Sequence, residues 1–233
     1  MAETWDYPNP EPLAAAGWLN EHLNDAGLRI IDGRGGREYA AGHIPGAILL
    51  PAPAFKAAGS SETCSPDEFA AAAGAMGIRV ADTVVCYDAN GPTAARAWWA
   101  FTRFGHQNVK FLHGGFDAWL STGGPLSTDT VALTPSFYDL IGDRPGYACT
   151  LPQALASVGR SGVVLWDTRS EGEFTGADPR TIDPEKAGHI PGAVHLQYSE
   201  LVDKATGMFK PAAEMRQLLA VRGITPESEV VAY

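Results

Sequence analysis

The sequence predicts an α/β protein of two similar domains, each a mainly parallel sheet flanked by helices. Three observations predict it. Short unbroken apolar runs alternate with segments of helical period, the pattern of strands buried on both faces. The six residues Gly42-His43-Ile44-Pro45-Gly46-Ala47 recur without change as Gly188-His189-Ile190-Pro191-Gly192-Ala193. From His43 to Tyr87, and from His189 to Tyr233, the two halves keep a constant offset of 146. Gly77-Ile78 thus falls on Gly223-Ile224, and Val84-Val85 on Val230-Val231. An identity of that length, in phase with a strand well downstream, marks a duplication.

The elements follow in order. About Leu13 to Ala26 has a helical period, with Trp18, Leu19 and Leu23 toward the core and Gly27 as the stop. Leu28 to Asp32 reads as a buried strand, Arg34 to Gly42 as a short helix, Gly42 to Ala47 as a turn, and Ile48 to Leu50 as a second strand. Ser65-Pro66-Asp67-Glu68 opens a helix that runs to about Met76, because proline fits a first turn and acids favour the positive end of the helix dipole. The apolar run Thr83 to Tyr87 ends at Asp88, crosses Ala89-Asn90-Gly91-Pro92, and enters a helix covering Arg96 to Phe104. Val109 to Leu112 is a strand, and Phe116 to Leu120 opens a helix after Gly114-Gly115.

Ser127 to Tyr147 has no sustained period and reads as a linker. The pattern then restarts. Thr150-Leu151-Pro152 supplies an N-cap and an early proline. Gly162 to Arg169 matches Leu28 to Arg34, acid and arginine included, and Glu173-Phe174 matches Glu38-Tyr39. An insertion follows around Asp178-Pro179-Arg180. The predicted domains are residues 10–126 and 148–233, joined by 127–147.

Composition narrows the function. A hydrophobic fraction of 45% with 19% charged residues describes a globular protein with a real core. The net charge of −10, with no basic run, argues against a nucleic-acid partner. No apolar stretch approaches the ~20 residues of a spanning helix, so no membrane partner is expected. The acidic start lacks the pattern of a signal peptide, which predicts a cytoplasmic protein. Cys64, Cys86 and Cys149 are odd in number and widely spaced, so neither a disulfide framework nor a metal knuckle is expected.

The chemistry gathers where a parallel strand ends at its carboxyl edge and faces a helix N-terminus. Here the chain resembles the tandem-domain rhodaneses, the thiosulfate and 3-mercaptopyruvate sulfurtransferases. The resemblance rests on Gly-His-Ile-Pro-Gly-Ala and Asp-x-Arg in both halves and on Leu112-His113-Gly114-Gly115-Phe116-Asp117-Ala118-Trp119 in the first. It covers nearly the whole chain. It implies a silent first domain, with Asp88 as the counterpart of the nucleophile, and a catalytic second domain. Its cysteine is expected directly after Tyr233, so no catalytic residue is assigned within the sequence. The parent chain is therefore expected to continue for a segment like Asp88 to Leu126, and the second domain to be incomplete as given.

The implied reaction moves a sulfane sulfur from a small-molecule donor to cyanide or a thiol through a persulfide. It needs no cofactor or metal, and a monomer is expected. The resemblance places Arg169 near the bound anion, although a salt bridge with Asp167 or Glu173 fits its position equally well. Glu173 stands where better-known relatives carry a second arginine, and Arg180 is the candidate substitute. Asp88 is expected to cap a helix, and Arg96 to pack or pair. His43 and His189, present in both halves, are expected to fix a turn. Cys86 should be buried and inert, while Cys64 and Cys149 lie in a loop and the linker without a charge partner. Trp98 and Trp99 are expected to pack. Two rival readings remain: an inactive rhodanese-like pair used for binding or regulation, and a phosphatase with a longer cysteine loop on the same scaffold.

Overall fold

A computed structural model describes residues 5–51, 55–57, 63–89, 92–178 and 187–233. The chain forms two compact units, residues 9–147 with 1–5, and residues 148–233 with 6–8.

The first unit holds a sheet of five strands in the order β1-β5-β4-β2-β3, parallel throughout. These are β1 (Leu13–Ala14), β2 (Leu28–Asp32), β3 (Ala47–Leu49), β4 (Thr83–Tyr87) and β5 (Val109–Leu112). Its helices are α1 (Ala16–His22), α2 (Gly36–Ala41), α3 (Pro66–Ala75), α4 (Thr93–Arg103) and α5 (Gly115–Ser121). α3 starts on a capping box in which Ser65 and Glu68 satisfy each other's backbone N–H. β4 is central, and Val84, Val85, Cys86 and Tyr87 are wholly buried. Phe69, Phe101 and Phe104 pack ring on ring behind it.

Two sequence expectations need correction here. Leu13 and Ala14 do not begin a helix. They pair with Phe111 and Leu112 as an added edge strand, and α1 starts only at Ala16. The period of Leu19 and its neighbours does not reach back over these two residues, whose backbone groups find partners in β5. Residues 127–147 contain only one turn of 3-10 helix and run along the first unit. Ser127 exchanges backbone hydrogen bonds with His43, Ser136 N donates to Gly74 O, and Tyr138 is buried in the core.

The second unit holds three parallel strands in the order β7-β6-β8, namely β6 (Val163–Asp167), β7 (Val194–His195) and β8 (Glu229–Ala232). Around them lie α6 (Leu151–Ser157), α7 (Glu171–Thr175) and α8 (Ala212–Ala220). α6 and α7 both begin on capping boxes, from Thr150 with Gln153 and from Ser170 with Glu173. Leu165, Leu196, Ala212 and Ile224 form the buried apolar set.

Candidate functional site at the carboxyl edges of the sheets

In the first unit β2 ends in Asp32, which is fully buried. Arg34 Nε and Nη2 reach its two carboxylate oxygens at 3.0 and 2.7 Å, and Arg34 N donates to Oδ1 at 2.9 Å. Nη2 also donates to the carbonyl of Gly42 at 2.8 Å. From β4, the Tyr87 hydroxyl donates to Asp32 Oδ2 at 2.5 Å and accepts from Ile44 N at 3.3 Å. One carboxylate thus ties two strand ends to the Gly-His-Ile-Pro-Gly turn. Burial and the nearby Asp32 charge push the Tyr87 hydroxyl well above its ordinary pKa, so it stays protonated and donating.

The second unit repeats the clamp. Arg169 Nε and Nη2 donate to Asp167 at 3.0 and 2.6 Å, and Nη2 donates to Gly188 O at 2.8 Å. Ile190 N donates to the Tyr233 hydroxyl at 3.0 Å, and that hydroxyl helps to lower the pKa of Asp167. Burial alone would raise the Asp167 pKa. The hydrogen bonds and charge of Arg169 outweigh it and hold the carboxyl below its ordinary value. Thr168 N and Oγ1 both donate to the carbonyl of Tyr233, at 2.9 and 2.8 Å. His195 Nε2 lies 2.9 Å from Arg169 O. A carbonyl only accepts, so Nε2 carries the proton.

Asp88 follows β4 and is 5% exposed. Its Oδ2 accepts from Ala94 N at 3.1 Å, so it satisfies an orphan donor in the first turn of α4. Its carbonyl accepts from Phe116 N at 2.9 Å. A Cβ on Gly115 would stand 2.4 Å from that carbonyl, and its φ is +58°, so this position requires glycine.

The two histidines sit alike. His43 Nδ1 lies 2.9 Å from Tyr39 O, and His189 Nδ1 lies 2.8 Å from Phe174 O, each ring stacked on that residue at 3.8 Å. Both hold a turn in place. Arg169 pairs with Asp167, and Glu173 is engaged with Ser170 in the cap of α7. Arg180 lies outside the described residues. Arg96 is exposed. Cys86 is buried and burial raises its thiol pKa; Cys64, expected in a loop, is likewise buried with a raised pKa, while Cys149 is exposed. Trp98 and Trp99 pack against the core of the first unit. The tyrosine hydroxyls as keystones escaped the sequence reading. The signal was present, since Tyr87 and Tyr233 share the offset of the turns they hold.

The rhodanese-like domain profile matches residues 15–122 and 150–233. The chain belongs to the rhodanese-like family. It is 33% identical to the sulfur carrier protein TtuD of Thermus thermophilus over 238 residues, which cover 97% of this chain and 83% of that protein. It is 30% identical to the thiosulfate sulfurtransferase of Corynebacterium glutamicum, covering 98% of this chain and 78% of that one. Among solved structures it resembles the 3-mercaptopyruvate sulfurtransferase SseA of Escherichia coli, with a TM-score of 0.82, 27% identity, and coverage of 95% and 87%. It also shares the fold of an anaerobic ergothioneine biosynthesis enzyme from Chlorobium limicola, of whose chain it spans 60%. Among the described residues no helix is long and apolar enough to cross a membrane, and no cluster of His, Cys, Asp or Glu could hold a metal ion.

Proposed function

We propose that this rhodanese-like chain belongs to a sulfurtransferase that takes a sulfane sulfur from thiosulfate or 3-mercaptopyruvate and passes it to cyanide or a thiol. The observation that carries this reading is the repeated clamp. It supports the reading because it holds Tyr233 as the first clamp holds Tyr87, the residue before Asp88, which meets a helix N-terminus at its carboxyl edge. Backbone N–H groups at such a place stabilise a thiolate and the anions it reacts with. A carboxylate at Asp88 has the placement without the nucleophilicity.

The proposed nucleophile is a cysteine thiolate at the position after Tyr233 of the full-length protein. It attacks the outer sulfur of thiosulfate; the Sγ–S bond forms as the S–S bond breaks, and sulfite leaves with the bonding pair. Cyanide or an acceptor thiolate then attacks the outer sulfur of the persulfide, which restores the thiolate. The double donation of Thr168 to the Tyr233 carbonyl fixes the backbone next to that nucleophile. Arg169 and Arg180 are the proposed donor-binding cations. Arg169 supports this by its place at the carboxyl edge of β6, beside Tyr233.

A second reading of Arg169 has support of its own. Arg34 makes the same contacts in the other unit, which favours a strut over a substrate ligand. The test uses full-length protein. Incubation with thiosulfate should add one sulfur atom to its intact mass, and cyanide should remove it as thiocyanate. No such adduct with either donor would overturn the proposal in favour of a binding or regulatory pair. Arg169→Ala should raise the donor KM roughly tenfold to a hundredfold if it binds the anion. A lowered Tm with an unchanged KM assigns it to structure.

A further inference from the structure

The second clamp has a contact for which the first has no donor in the matching place. His195 ends β7 in register with Asp167, as Leu49 ends β3 in register with Asp32. The two positions share the offset of 146 that relates the turns before them. One place in the sheet thus holds an imidazole in one unit and an aliphatic chain in the other. His195 Nε2 donates to the carbonyl of Arg169 at 2.9 Å. A leucine has no hydrogen to offer the carbonyl of Arg34.

The imidazole is itself held from two sides. Its ring stacks on Phe174 of α7, with centroids 4.6 Å apart and planes 17° from parallel. Its backbone carbonyl accepts from Arg222 Nε at 2.7 Å, and Arg222 Nη2 lies 3.7 Å from a carboxylate oxygen of Glu200. The loop that His195 reaches is pinned on either side of Arg169. Tyr198 N donates to Thr168 O at 3.1 Å, and Ser170 with Glu173 forms the cap of α7. Arg169 is therefore fixed at both ends. Asp167 and Gly188 hold its guanidinium, and His195 holds its main chain. A guanidinium is a planar fork that meets an anion directionally, so a shift in the backbone that carries it misaligns the contact.

We propose that His195 is a positioning residue for the sulfur donor: its Nε2–H holds the Arg169 carbonyl and so sets where the guanidinium meets the anion. That role rests on the proposed sulfur transfer and on Arg169 as a donor-binding cation. His195 acts through Arg169 and touches neither the donor nor the nucleophile.

The test compares two variants of the full-length protein. His195→Leu brings in the residue of the first unit, and His195→Gln keeps an N–H that can reach the same carbonyl. His195→Leu should raise the donor KM roughly threefold to tenfold, the worth of one hydrogen bond, with kcat retained. His195→Gln should return KM to near the parent value. In an Arg169→Ala background, His195→Leu should change KM by less than about twofold, because residues that act through one contact are not additive. A parent-like KM in His195→Leu, with or without a lowered Tm, would overturn the proposal and leave His195 a structural residue. Equal rises in both variants would also overturn it, since the stack on Phe174 and not the hydrogen bond would then matter. So would a full effect of His195→Leu without Arg169. A parent protein that transfers sulfur from neither donor would remove the proposed function and this role together, whereas an active parent with an unmoved KM in His195→Leu removes the role alone.

Discussion

The two carboxyl-edge clamps use the same residues in the same order, and in the first unit Phe116 of α5 lies over the arginine. The Arg34 side chain is 6% exposed, and its guanidinium lies 3.5 Å over the ring of Phe116. The Arg169 side chain is 32% exposed, with the Tyr233 ring 5.3 Å away. β4 is flanked by β2 and β5 and backed by α4, and β8 pairs with β6 as β4 pairs with β2. The arginine's bonds to the carboxylate and to the turn carbonyl nevertheless recur. Asp-x-Arg and the turn therefore dictate the clamp locally, and burial sets only its energetic weight.

The sharpest way to break that comparison is to remove each arginine. Arg34→Ala leaves Asp32 as an uncompensated charge in a sealed site and should destabilise the first unit by about 3–5 kcal/mol. Arg169→Ala leaves Asp167, equally buried, without its partner, and the loss in full-length protein should be of the same size. Hydrogen exchange at Val85 and Val231 reads the two units separately. Unequal losses at the two amides would show that the clamps' shared hydrogen bonds do not alone set their worth.

The next largest effect concerns the residue inside each motif. Gly33 donates its N–H to Tyr87 O at 2.7 Å, as Thr168 does to Tyr233. A Cβ on Gly33 would stand 2.8 Å from Ala94 N and 3.1 Å from Ala94 Cβ, so α4 leaves no room for a side chain. Gly33→Thr should cost about 1–3 kcal/mol through overpacking, read as a drop in Tm. Thr168→Gly should cost about 1–2 kcal/mol, from one lost hydrogen bond and a freer unfolded chain. A neutral Gly33→Thr would mean that the start of α4 can shift.

Much of this was legible in the sequence. β2 and β5 fall on the residues that the apolar runs marked, and the Ser65 start of α3 follows from its capping chemistry. The repeat gave the site its location, because identical turns in phase with identical strands must meet at the same edge. Other features were hidden for physical reasons. β1 has two residues, too few for any period, and exists because β5 offers it an edge. Residues 127–147 lack a repeat because their backbone is held one contact at a time, by His43, Gly74 and Arg103. The partner of Arg169 was open between Asp167 and Glu173 until the Ser170 cap claimed the glutamate.

Acid should weaken the second clamp. The folded pKa of Asp167 is held below its ordinary value, so its contribution to stability is present above an unfolded pKa of about 3.9. It is lost as pH falls through the lower, folded value. Asp167→Asn should flatten that part of the acid limb in the second unit, visible as a shallower fall of its urea midpoint below about pH 4. An unchanged acid limb would mean that other carboxyls, such as Glu173 in its cap, carry the pH dependence.

The smallest expected effect is at Asp88, where the two units differ in chemistry as well as burial. Its carboxylate holds Ala94 N, and Asp88→Ala should cost about 0.5–2 kcal/mol, as for the loss of an N-cap. Asp88→Cys is the more informative change. The same helix N-terminus would favour a thiolate there. Access is the obstacle, because the position is 5% exposed and Gly115 packs against its carbonyl. A donor cannot align its sulfur with an atom enclosed in that way. The Asp88→Cys protein should therefore form thiocyanate at the parent rate and resist alkylation at the new thiol in its folded state. A second active centre in that variant would show that the sealed edge opens readily, and the contrast between the two clamps would then lie in residue identity alone.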